Sequence, residues 1–162
     1  MSKEKGVVSK ELPSYFGNFP FPPDSKKPVL VRRQDMQVFV YPENTPYFGD
    51  INRLCASTDK ITMVVYSVAP GSKFEPPDVH SGDEVYYVIK GTLTQFNPET
   101  GDVHEVHEGE ALYIPKGAWH QSYNFTDREA RMLAVLAPRV WDAENPPPSE
   151  FPGRPKLFKT SR

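Results

Sequence analysis

The sequence predicts an all-β domain, an antiparallel sandwich or barrel, flanked by extended arms. Three observations carry that prediction. Short runs rich in Val, Ile, Tyr, Phe and Thr fill the middle of the chain, the composition that a pleated, half-buried surface favours. Turn-forming clusters separate these runs at roughly 8–12 residues, the rhythm of antiparallel sandwiches and barrels. No helical face of convincing length interrupts them.

Taken in order, residues 1–34 read as an extended arm carrying Tyr15, Phe16, Phe19 and Phe21. Of the 18 prolines, seven precede residue 51 and six lie from Pro138 onward. Each removes a backbone donor and fixes φ, so such stretches suit neither a helix nor a central strand. The barrel is expected over residues 35–137. Its strands read as MQVFVY (36–41), ITMVVYSV (61–68), EVYYVI (84–89), TLTQF (92–96), VHEVH (103–107), ALYI (111–114), WHQSYN (119–124) and RMLAVLA (131–137). Between them stand turn signals such as Ala69-Pro70-Gly71, Lys90-Gly91 and Pro115-Lys116-Gly117. The best helical candidate is Asp50–Asp59. Residues 138–162, with Trp141, Phe151 and Phe158, read as a Pro-rich extended tail. Aromatics on both flanks exceed what a solvated linker carries, so the arms are expected to pack on a surface of this subunit or another.

Composition excludes several classes. The 162 residues carry a net charge of −2, which argues against a broad basic surface for nucleic acid. No apolar run approaches the ~18 residues of a membrane span. The first ten residues are charged with no apolar stretch behind them, so no secretory signal is visible and the cytoplasm is the expected compartment. The single Cys55 rules out an intrachain disulfide framework and reads as a small buried residue.

Two of the four histidines sit in organised settings. Asp78, His80 and Glu84 share strand parity, so in an extended segment they point one way, into the interior of a barrel, with Tyr86 and Val88 following inward. A carboxylate buried there needs a partner, and a divalent metal accepts this mix of imidazole and carboxylate. The alternative is a solvated acidic turn. His120 follows the Pro115-Lys116-Gly117 turn, which fixes where its strand starts and therefore where it points. A lone His there is usually a hydrogen-bonded core residue; beside the first segment it becomes a candidate third ligand. His104 and His107 differ by three positions, so they lie on opposite faces and read as surface histidines.

Gly71 to Gly91 reads Gly-x6-Asp-x-His-x3-Glu-x6-Gly, and Gly109 to Asn124 reads Gly-x5-Pro-x-Gly-x2-His-x3-Asn. Together they resemble the two motifs of the cupins, over roughly residues 60–137. The first motif departs from its usual form in carrying Asp78 where a histidine is expected; the second matches at every defined position. The resemblance implies a small jelly-roll β-barrel, a double-stranded β-helix, with one metal ion inside. It also implies His80, Glu84 and His120 as ligands. For Asp78 three readings stand open: it ligates in place of the histidine, it stands back and leaves a two-histidine, one-carboxylate set, or the site is degraded and empty.

The chemistry follows the ligand set. Two histidines and one carboxylate with open positions suit a non-haem Fe(II) centre that activates dioxygen. An added Asp brings a second negative charge and favours Mn(II), with Zn(II) and Fe(II) still possible. Lewis-acid chemistry is then natural, with Asp78 or Tyr86 moving protons. The expected function is a metal-dependent enzyme on a small organic acid, ketone or phenolic substrate. Dioxygenation leads, and a decarboxylase, isomerase or other lyase is the alternative. A non-catalytic small-molecule binder is the second class, and fold alone cannot choose among them. Tyr86 and Val88, then Ser122, are candidate pocket residues, with Tyr66, Phe96 and Tyr113 at the opening. A homodimer is expected, with an arm or tail packed on the partner.

Overall fold

Ten strands carry the architecture of the computed structural model, which describes residues 27–40, 50–58, 60–74, 77–138 and 156–159. They are β1 (Gln37–Val40), β2 (Asp50–Ser57), β3 (Thr62–Val68), β4 (Asp83–Lys90), β5 (Thr92–Phe96), β6 (Val103–His107), β7 (Ala111–Ile114), β8 (Gln121–Tyr123), β9 (Ala130–Ala137) and β10 (Lys156–Lys159). Among the described residues the only helical turn is a 3-10 turn at Arg33–Asp35. The larger sheet runs β10-β1-β2-β3-β9-β4-β7 and the smaller β6-β5-β8, with every pair antiparallel. Bridges Lys73–Tyr123 and Asp78–His120 dock residues 72–74 and Asp78 along residues 120–124. This is the predicted all-β, jelly-roll arrangement of facing sheets.

The core lies between the sheets and follows the period of two that strands impose. β4 buries Glu84, Tyr86 and Val88, and β9 buries Ala130, Met132, Ala134 and Leu136. Leu93, Val106, Leu54, Val64 and Val68 close the interior from the neighbouring strands. Gly91 turns β4 into β5 with φ of 78°, and a Cβ there would stand 2.7 Å from the Glu129 carbonyl oxygen. Only glycine meets both conditions.

Residues 50–57 correct the helical expectation: they form β2, hydrogen-bonded between β1 and β3. Asn52 and Leu54 point inward, but a register shift between Leu54 and Ala56 leaves Cys55 as an extra residue and Ser57 inward again. That bulge breaks the alternation a strand would show in sequence. Cys55 is buried, as expected. Lys156–Lys159, inside the extended tail, pairs with β1. The arm aromatics Tyr15, Phe16, Phe19 and Phe21, and Trp141 and Phe151 behind, lie outside the described residues, as does the side chain of Phe158.

Candidate metal centre

Two backbone elements aim the site. Asp78 and His120 exchange both backbone hydrogen bonds, Asp78 N to His120 O at 2.8 Å and His120 N to Asp78 O at 2.9 Å. Residues opposed in this way project from the same face. The strand bearing His120 starts from a turn in which Ala118 N donates to Pro115 O at 3.0 Å and Gly117 holds φ of 80°. A positive φ at that third position makes the turn type II and requires glycine. Gly117 N also donates to His80 O at 2.9 Å, tying the turn to the first segment. Asn124, which closes the second motif, is structural: its amide donates to the carbonyls of Val68 and Arg128.

Asp78, His80, Glu84 and His120 all converge and are all buried, none more than 6% exposed. Glu84 Oε2 stands 3.2 Å from His80 Nε2 and 3.1 Å from His120 Nε2, and Asp78 Oδ2 stands 3.5 Å from His80 Nε2. Ligand atoms of Asp78, His80 and His120 lie within 4.8 Å of one another. Atoms bound at about 2.1 Å in adjacent octahedral positions stand roughly 3 Å apart, so the separations match a common ion.

The donor chemistry gives a sharper test. His120 Nδ1 lies 3.0 Å from the Ala118 carbonyl, which can only accept. Nδ1 therefore carries the hydrogen, and Nε2 is the ring atom that faces Glu84. Glu84 Oε2 and His120 Nε2 face each other buried, and neither makes a hydrogen bond of acceptable geometry despite the short contact. With Nε2 unprotonated, two lone pairs would oppose each other in this buried site, and they need a cation or a proton between them. A divalent ion fits that requirement.

The electrostatics agree. Burial alone would lower the His80 pKa, but the Asp78 and Glu84 carboxylates override it and raise it to about 9. Burial opposes ionisation of Glu84, yet the two imidazoles hold its carboxyl at about 2. Asp78 is pushed up, chiefly by burial. His120 is raised by Glu84 and Asp78 against the opposing effect of burial. Without an ion, attraction between the imidazoles and the carboxylates offsets their burial, at the positions where an ion would bind.

The pocket beside the cluster is small, about 30 Å³, and opens partly to solvent. Its walls are Val64, Ala134, Leu136, Tyr66, Phe74 and Tyr86, with Asn52 as a neutral polar group. Tyr66 packs edge-on to Phe74 at 5.6 Å, and Tyr86 stands edge-on to His120 at 6.2 Å. Burial, reinforced by Glu84, pushes the Tyr86 phenol well above its usual pKa, so it stays protonated. Three expectations need correction. Val88 is sealed in the core, Tyr113 is 59% exposed on the outside, and Phe96 is half-buried away from the pocket wall. Ser122 is buried and donates to Gln95 Oε1 at 2.7 Å. His104 and His107 are surface residues, as expected. Asn52 and Phe74 were not legible as pocket residues, one hidden by the β2 bulge and the other in a turn-rich segment.

The family model described as a cupin domain matches residues 64–136. Residues 64–136 are a cupin domain. Among solved structures, the chain is similar to the polyketide cyclase RemF from Streptomyces resistomycificus, at 23% identity and TM-score 0.59, over 74% of this chain and 90% of that one. A Klebsiella pneumoniae protein with a double-stranded beta-helix domain matches at 21% identity and TM-score 0.56, over 70% and 92%. A protein from Thermus thermophilus, TT1209, matches at 27% identity and TM-score 0.51, over 56% and 85%. A comparison with curated proteins finds no match. The solved structures establish the double-stranded β-helix fold and leave the reaction to the site.

Proposed function

We propose that this cupin domain is a metal-dependent enzyme that performs Lewis-acid chemistry, an isomerase or lyase step, on a small ketone, phenolic or organic acid substrate. The observation that carries the reading is the buried carboxylate of Asp78 beside His80, Glu84 and His120. Those four side chains would hold one divalent ion, Mn(II), Zn(II) or Fe(II). Two carboxylates would balance its charge, which favours polarising a substrate oxygen over redox work. When bound, the ion would polarise a substrate carbonyl or phenolic oxygen.

The chain's own residues would supply the rest. The protonated Tyr86 hydroxyl donates a hydrogen bond to a substrate oxygen. Asp78 Oδ1 accepts from Val79 N at 2.8 Å, which orients the carboxylate; Oδ2 would face the ion, or, where Asp78 stands back from it, would hold or release a proton. Tyr66, Phe74 and Tyr86 offer an apolar wall of inclined aromatic rings that suits a small apolar substrate body.

One observation favours dioxygenation as a second reading. The Asp78–His80 separation of 3.5 Å exceeds the two Glu84–histidine separations, so Asp78 can stand back and leave a two-histidine, one-carboxylate set. Metal analysis of protein purified without chelator, followed by oxygen-uptake assays with catechols and 1,3-diketones, separates the readings. One equivalent of metal with no oxygen demand supports the Lewis-acid enzyme. Fe(II)-dependent oxygen uptake supports the dioxygenase. A protein that binds no Mn(II), Fe(II) or Zn(II) leaves only the non-catalytic binder.

A further inference from the structure

We propose that the pocket beside the cluster selects an uncharged substrate, a small ketone or a neutral phenol, and that the buried Asn52 amide is the specificity-determining group that enforces the choice. This selection rests on the metal-dependent reading above and narrows it: of the three substrate classes, the organic acid drops out. The charges around the cavity decide it. Asp78 and Glu84 bring two negative charges when ionised, and imidazoles bind an ion in their neutral form. A divalent ion held by the four side chains would therefore leave the site with no net charge.

Among the described residues no Lys or Arg lines the pocket. Apart from Asp78, His80 and Glu84 its walls are aliphatic, aromatic or, at Asn52, an amide. Arg53, the neighbouring cation in sequence, alternates to the opposite face of β2 and does not line the pocket. A carboxylate substrate would leave water for a cavity with no cationic side chain, beside the buried Asp78 and Glu84. The neutral site would become net negative, and a buried charge without a counter-charge costs free energy. A ketone or a protonated phenol brings no charge and escapes that cost.

Asn52 stands where an apolar residue would pack at lower cost. It is 5% exposed on the inward face of β2, and Leu54, the next inward residue, is sealed in the core. Across the strands it lies opposite Tyr66, so the amide and that part of the aromatic wall project from one face. An amide offers two donor hydrogens and an acceptor oxygen. It can donate to a carbonyl oxygen or accept from a phenolic hydroxyl, and it supplies no counter-charge. A basic side chain at this position would serve a carboxylate instead.

Saturation-transfer NMR on the full chain loaded with Zn(II) compares acetophenone with benzoate, a ketone and a carboxylate of nearly the same shape. Zinc content is measured on the same samples. Acetophenone is expected to bind at least about tenfold more tightly than benzoate. Asn52→Leu removes the amide, so acetophenone weakens about fivefold while benzoate is unchanged. Asn52→Lys turns the preference toward benzoate. Both variants keep one equivalent of zinc and wild-type circular dichroism; where the lysine variant fails to fold, the ratio in Asn52→Leu decides. A zinc-loaded wild type that binds benzoate as tightly as acetophenone, or binds neither, overturns the selection and leaves the metal centre standing. A ratio unmoved in Asn52→Leu overturns the role of Asn52. A wild type that takes up no zinc overturns the metal reading and this selection with it.

Discussion

The two faces of β4 differ in what surrounds them and hardly at all in how apolar they are. On the inner face Glu84, Tyr86 and Val88 are each no more than 6% exposed. On the outer face Val85, Tyr87 and Ile89 remain between 37% and 47% exposed. The inner face carries a carboxylate where an apolar residue would be cheaper, and the outer face carries apolar residues where charge would be cheaper. Both departures cost free energy unless something binds. An ion between the imidazoles would offset the first, and a surface packed over the outer face would offset the other. Function sits where the pattern of a simple strand is broken on either side.

The largest expected effect is on the inner face. Glu84→Ala removes the carboxylate that both imidazoles face, and ion affinity should fall by more than about 100-fold, beyond an outer-partner change. Tyr87→Ala, three residues on and on the opposite face, should leave affinity within about twofold. Isothermal titration with Zn(II) compares them. Equal losses would dissolve the distinction between the faces.

The second expectation concerns pH, in protein freed of metal. The folded pKa of His80 is raised to about 9. Its stabilising contribution is fully present below its unfolded value of about 6.5 and is lost as pH rises through about 9. Glu84 is depressed to about 2. Its contribution is present above its unfolded value of about 4.3 and is lost as pH falls through about 2. Urea unfolding should therefore give greatest stability between about pH 4.5 and 6.5, with a loss on the order of 2 kcal/mol by about pH 9. Metal uptake at pH 7 should release at least one proton, read from titrations in buffers of different ionisation enthalpy. A metal-free protein equally stable at pH 6 and 10 would contradict the cluster's electrostatics.

Asp78 sharpens the comparison within the inner face. Asp78→Asn keeps size and the bond from Val79 N but removes the charge, and ion affinity or turnover should fall about 10- to 100-fold. An unchanged protein would place Asp78 outside the working set and favour the two-histidine, one-carboxylate arrangement. The smallest effect belongs to the scaffold. Gly91→Ala adds a Cβ against the Glu129 carbonyl oxygen at positive φ and should cost about 1–3 kcal/mol in urea unfolding with ion stoichiometry unchanged.

Much of this was legible in the sequence because strand parity and turn chemistry are local. β5, β6 and β7 begin and end where their residue runs do, since Gly91, the Asn97–Asp102 turn and Gly109 bound them. The convergence of Asp78, His80 and Glu84 follows from a period of two, and the aim of His120 from the Gly117 turn. What stayed hidden depends on long-range pairing. β2 has the composition of neither helix nor strand, and only hydrogen bonds to β1 and β3 decide it. β10 is four residues in a proline-rich flank that pair with β1 far away in sequence. Asn52 reaches the pocket through the pairing of β2, and Phe74 through its bond from N to Ser122 O beside the Lys73–Tyr123 bridge. Tyr113 has a strand residue's parity, but whether its face is inner or outer is set by its register with Val85.

The most direct test of the central claim is metal stoichiometry in the wild-type chain and His120→Ala. Both would be purified without chelator, incubated with Mn(II), Fe(II) or Zn(II), freed of unbound ion and measured by mass spectrometry of the elements. The expected result is one equivalent in the wild type and well below a tenth of an equivalent in His120→Ala, with circular dichroism unchanged. A His120→Ala protein that retains a full equivalent inside the barrel would contradict the metal centre.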